Sequence, residues 1–179
     1  MVAAPFVGAG SKGMTREQLL SLWQPSLAAL ERAFAVLPDE PDNIDTPLWS
    51  GTFETPQGEK QEQALTLRQL LAHLVVSAYE VPLGLSGFGQ MSQVGQLQPV
   101  LRQKSVPELR AELADRVARM IEFLNGLDEA ELNVTRELHG GTRNVGEALG
   151  RAALHLVHHK GQLSIYVRLA GGRPGMFLG

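Results

Sequence analysis

Cysteine is absent from the 179 residues. That excludes disulfides, thiolate metal ligands and a cysteine nucleophile, and it fits a reducing compartment, so a cytoplasmic protein is expected. Long apolar runs are also missing. None approaches the roughly 20 residues that span a bilayer, and no membrane partner is expected. A surplus of basic charge is missing too: net charge is −3 with acidic and basic residues interleaved, which offers nucleic acid no continuous face. Alternating strand patterns are nearly absent, and no internal repeat is visible. Apolar residues make up 44%, too many for a disordered chain and enough for the core of one domain. Residues 1–14 are rich in small residues and lack the basic-then-apolar order of a signal peptide. They are expected to form a flexible arm ahead of a single domain over 15–179.

Four short polar residues are each followed three positions later by Glu or Gln, ahead of helically spaced apolar residues. They are Thr15 with Gln18, Thr66 with Gln69, Ser105 with Glu108 and Asn144 with Glu147. In a capping box the first side chain accepts from a free backbone N–H and the second reaches back to the cap. Behind Thr15 come Leu19, Trp23, Leu27, Leu30, Phe34 and Leu37, with Pro25 expected to kink the run or delay its regular part. Behind Thr66 come Leu67, Leu70, Leu71, Leu74, Ala78 and Val81, with Pro82 and Gly84 disturbing the far end. Behind Ser105 come Leu109, Leu113, Val117, Met120 and Leu124. Behind Asn144 come Val145, Leu149, Ala152, Leu156, Leu163 and Tyr166, and Gly171-Gly172 stops the run. Four amphipathic helices of roughly 20 to 27 residues predict an all-α four-helix bundle.

The first and second connections are long. Residues 38–65 hold Trp49 and Phe53, two aromatics that favour an ordered lid, and a Gly- and Gln-rich stretch over 84–104 is expected to be a loop. The apolar surface of the second helix extends round the cylinder through Ala72, Val75, Val76 and Leu83. A patch of that kind predicts a homodimer, unless the first loop covers it.

The histidines carry the chemistry. On the last helix, with His155 at 0°, the apolar stripe centres near ~80°. His159 then lies about 40° from that centre and His158 about 140° from it, among Glu147, Arg151 and Arg168. His155 and His159 stand one turn apart facing inward, so both can grip one ion. The alternative is a pair of ordinary hydrogen-bonded or surface histidines. A third ligand has to come from another helix, and His73 is the remaining histidine within one, also at the edge of an apolar stripe. Ser77 and Glu80 follow His73 along its face, and Glu80 could orient a ligand, act as a base or be solvated. His139 precedes Gly140-Gly141 in a turn and is expected at the surface. Position 156 is Leu, so the His-Glu-x-x-His signature of zinc proteases is absent. Inward Glu-x-x-His pairs are lacking as well, which disfavours a di-iron bundle.

The segment His155-Leu-Val-His-His159-Lys-Gly-Gln-Leu163, running on to Leu169-Ala-Gly171, resembles the last-helix signature of DinB/YfiT-like proteins. Thr66-Leu-Arg-Gln-Leu-Leu-Ala-His73 resembles their second-helix signature. Lys160 departs from the arginine common there, and the long first loop leaves the substrate end unmatched. The resemblance implies an up-down-down-up bundle, often a homodimer, with His73, His155 and His159 on one divalent metal ion. It also implies kinship with thiol-dependent S-transferases and isomerases that use low-molecular-weight thiols. Zinc and nickel head the metals expected, with iron and manganese also compatible with three imidazoles. The leading expectation is a metal-dependent transferase or hydrolase acting on a small molecule. Glu80 is then a candidate base, and Trp49, Phe53 and Tyr166 are candidate pocket walls, a role that core packing would explain equally well. The alternative is a non-catalytic, stress-associated metal-binding protein.

Overall fold

The computed structural model describes residues 14–138 and 141–173. Residues 1–13 of the expected arm, and His139, lie outside them. Met14, the arm's last residue, packs against the hydrophobic core. A Cβ added at Gly146 would come within 2.9 Å of the Met14 carbonyl oxygen, so that glycine makes room for the chain's entry.

The described residues form seven helices and two short hairpins, in the order α1 (Arg16–Ala35), β1 (Ser50–Thr55), β2 (Gly58–Gln63), α2 (Leu67–Ser77), α3 (Glu80–Ser86), α4 (Met91–Leu101), α5 (Val106–Gly126), α6 (Glu129–Leu132), β3 (Thr135–Leu138), β4 (Gly141–Asn144) and α7 (Val145–Leu169). The body is helical as expected. The all-α reading needs correction at the hairpins, and the loop reading of 84–104 at α4.

Thr15, Ser105 and Thr66 complete their capping boxes with both reciprocal bonds. Asn144 caps α7 by accepting from the Gly146 and Glu147 amides, but Glu147 turns its carboxylate to Arg151 instead of reaching back. α1 runs unbroken through Pro25. α2 does not reach its expected length. Pro82 has no N–H to donate, and its ring crowds the carbonyl four residues earlier, that of Ala78. The chain breaks at Tyr79 (φ −144°) and restarts with Pro82 in the first turn of α3, where free amides cost nothing.

α1 packs against α5 and α7, and α2 against the same two, around a core that includes Trp23, Phe34, Leu70, Leu74, Leu113 and Leu149. Trp23 also donates its indole N–H to the Leu149 carbonyl, fixing α1 on α7. α4 lies against α2 and α3 with Val94 and Leu101 buried. Ala72, Val75 and Val76 are fully buried within the one chain. Most of the patch that suggested a homodimer is therefore covered internally, by the segment read as a loop together with its neighbours, and Leu83 is half-buried.

The 38–65 connection is ordered, as a hairpin. Its register pairs Phe53 with Lys60 and Glu54 with Glu59, and its base is tied by the Ala64 amide to the Trp49 carbonyl. β2 is exposed along its whole length. These strands are held by backbone pairing and not by a buried face, so no period-two pattern exists to read.

Candidate metal centre

His73 projects from the middle of α2, and His155 and His159 from successive turns of α7. One nitrogen from each ring lies within 4.8 Å of the other two, a group that could hold a metal ion. No carboxylate joins them among the described residues. All three rings are half-buried, whereas His158 is exposed, as the helical projection places them.

The donor set is unusual for a self-contained protein interior. Nε2 of His73 and Nε2 of His155 approach to 3.0 Å. Two lone pairs cannot face each other at that distance, so either a proton or a cation has to lie between them. Burial, the neighbouring His159 and His155 and then Arg102 push the His73 pKa down to about 4. Burial likewise lowers His155 and His159, although the bond to Gln162 opposes the shift at His159. The trio is thus held neutral near pH 7, the form that ligates metals.

The other ring nitrogens are held by side-chain amides. Gln162 Oε1 sits 2.7 Å from Nδ1 of His159. An amide oxygen only accepts, so the proton is on Nδ1 and Nε2 keeps its lone pair. Gln98, on α4, places Nε2 at 3.0 Å from Nδ1 of His73. With the amide so oriented, His73 carries its proton on Nε2 and donates to His155. With the amide turned over, Oε1 accepts from Nδ1–H and Nε2 is bared toward the trio. Outer partners of this kind set tautomer and ring angle at metal-ligating histidines. The three residues fit a divalent ion on these grounds. Neither glutamine was singled out from sequence. Gln162 was findable, three residues beyond His159 on one helix. Gln98 was hidden by the reading of α4 as loop, although Val94, Leu97 and Leu101 around it have helical spacing.

The remaining candidates separate. Glu80 opens α3, where its Oε2 accepts from Arg116 Nε at 2.9 Å, and both side chains are almost wholly buried. Ser77, one turn beyond His73, is buried with its hydroxyl unbonded. Trp49 and Tyr166 line a cavity of about 390 Å³ that also takes in His159 and Gln162. Phe53 is not part of that lining; it stacks edge-on against Trp49, with centroids 5.9 Å apart. Tyr166 spends its hydroxyl on the Leu65 carbonyl and ties the hairpin's base to α7.

The profile of the DinB superfamily matches residues 28–163, about three quarters of the chain. The chain belongs to the DinB superfamily. A crystal structure of a DinB-like protein from Bacillus cereus ATCC 10987 is similar to this DinB chain, with a TM-score of 0.58 at 17% identity. The match covers 90% of this chain and 97% of that one, and at such identity it bears on the fold alone. No curated protein sequence matches. No helix among the described residues of this DinB protein is long and apolar enough to cross a membrane.

Proposed function

We propose that this DinB-superfamily chain is a divalent-metal-dependent enzyme of the thiol S-transferase or hydrolase type, with His73, His155 and His159 as the protein ligands. The observation that carries the reading is the convergence of three neutral imidazoles with no fourth protein ligand among the described residues, beside a cavity. Three ligands leave a position for a small molecule, which is the pattern of catalytic sites, whereas structural sites close with a fourth. A bound ion supplies a Lewis acid that lowers the pKa of a ligated thiol or water.

The chain's own contributions are separable. Gln162 holds the proton on Nδ1 of His159 and keeps its facing lone pair free; Gln98, with its amide turned over, would do the same for His73. Trp49 and Tyr166 wall the approach. Glu80, committed to Arg116, is left out of proton transfer in this reading. Zinc or nickel is the proposed ion. The rest of the proposal is a cytoplasmic setting, a small-molecule substrate, a low-molecular-weight thiol among the candidates, and the up-down-down-up arrangement of α1, α2, α5 and α7. The homodimer now stands on the resemblance alone, and sedimentation at micromolar concentration tests it.

Elemental analysis of the purified chain, followed by cobalt substitution, tests the core of the reading. One ion per chain is expected, and the cobalt spectrum should change when a small thiol is added. A spectrum indifferent to added thiol would remove the S-transferase branch, and one indifferent also to azide, which occupies an open water position, would move the site to the closed, non-catalytic class.

A further inference from the structure

A cavity of about 580 Å³ opens at the start of α2, lined by Asp45, Thr66, Arg68, Gln69, Arg102 and Gln103. Its two cations differ in what they hold. Arg68 spends its guanidinium on Asp45, whose two oxygens it meets at 2.7 and 3.0 Å, and on the Lys104 carbonyl. Arg102, the C-cap of α4, pairs with no carboxylate among the described residues. The one bond it forms there runs from Nη2 to Gln98 Oε1 at 3.4 Å, and its Nε is buried without a partner. A guanidinium carries several N–H groups and no acceptor, so most of its donors are left unmet. Water does not reach the buried one, and an unmet buried donor costs free energy. Turning the Gln98 amide over, as ligation through Nε2 of His73 requires, removes even the Oε1 acceptor. The lining thus sets Arg68 and Arg102 against Asp45 alone and keeps an excess of positive charge.

We infer that this cavity binds an oxyanion, the carboxylate or phosphate group of a small molecule, on the guanidinium of Arg102. The planar fork of N–H groups matches either group with charge-assisted bonds. Asp45 does not compete for Arg102, because both its oxygens are held by Arg68. An ion on His73, the neighbour of Gln98, adds positive charge nearby and strengthens the case. Gln69, in the lining, lies one turn before His73 on α2, so the same group can tether a substrate of the proposed metal centre. That use rests on the metal proposal, while the binding does not.

Inorganic sulfate and acetate, standing in for the two groups, test the inference by nuclear magnetic resonance on the full isotope-labelled chain at constant ionic strength. The Arg102 Nε–H signal and the backbone amides of Gln69 and Gln103 should shift along one saturable curve, with and without added zinc. Whichever anion saturates at the lower concentration names the group. Arg102→Gln should weaken that anion by roughly tenfold or more, the worth of one bond to a charged group. Gln103→Glu, at an exposed position in the lining, should weaken it several-fold without touching Arg102. Arg168→Gln removes an exposed arginine of α7 that bonds the Ser164 carbonyl outside the cavity, and it should leave affinity within about twofold. No saturation with either anion, or equal losses in Arg102→Gln and Arg168→Gln, would overturn the inference. So would a curve that needs zinc and survives Arg102→Gln, because the anion then sits on the ion. Zinc content of the same samples keeps the proposals apart. A chain that holds the anion but no ion sinks the metal reading alone, and a chain that holds the ion but no anion at Arg102 sinks this one alone.

Discussion

Two clusters of polar side chains interrupt the helical body, and they satisfy themselves in opposite ways. In one, Lys104, Glu112, Arg116 and Glu80 form an alternating chain of charges in which Arg116 reaches Glu80 and Glu112 and Lys104 closes on Glu112 at 2.8 Å. The Lys104 and Arg116 cations hold the Glu112 carboxyl below its usual range. Positive and negative members balance, and nothing further is called for. In the other, His73, His155 and His159 turn nitrogens toward one another with no carboxylate in the group. Beyond the proton that His73 and His155 can share, no positive group of the cluster meets those nitrogens. A charge network with its counter-charges inside is a structural device, whereas neutral imidazoles converging without a carboxylate form a group that could hold an ion.

Substitution should separate the clusters cleanly. His73→Ala, His155→Ala and His159→Ala should each lower metal affinity by well over the roughly 100-fold that an outer partner is worth, as read by calorimetric titration. His158→Ala, on the exposed side of α7, should leave affinity nearly intact. The reverse pattern, with His158 required and His159 dispensable, would sink the assignment of ligands. Glu80→Ala should act the other way, costing about 2 kcal/mol in urea denaturation by leaving Arg116 with Glu112 as its remaining carboxylate, while one ion still binds. Loss of the ion with unchanged stability would place Glu80 in the metal centre after all.

Smaller effects sharpen the contrast. Gln98→Leu should weaken the ion by about 10–100-fold with little change in stability. An unchanged affinity would show that Gln98 does not set the His73 tautomer. In chelator-treated protein, the lowered His73 value makes a neutral ring part of the folded state. The unfolded chain takes up its proton near pH 6.5 and the folded chain only near about 4. Stability should therefore be fully present above pH 6.5 and fall as pH drops from there toward 4. Thermal melts across that window that do not move would contradict the burial argument.

Much of this was legible because it is local. Three capping boxes and runs of Leu at spacings of three and four located α1, α5, α7 and the start of α2. A projection of α7 was enough to put His155 and His159 on one side and His158 on the other. The parts that escaped depend on distance or on water. Arg116 meets Glu80 across 36 positions, and no spacing rule links them. The break at Tyr79 needed Pro82 to be read as the start of a new helix and not the fraying of an old one. α4 was masked by its glutamines, which are sound helix formers but carry little apolar signal.

The hairpin over β1 and β2 carries a consequence for amide exchange. Glu54 faces Glu59 directly across the ribbon near its tip, and like charges in that position repel. The other end is fastened by the Trp49–Ala64 bond, the Pro47–Thr66 bridge and the Tyr166 hydroxyl. Opening should accordingly proceed as a zipper from the turn, independently of the helices, with amides near Glu54 and Glu59 exchanging first and the Ala64 amide last of the ribbon.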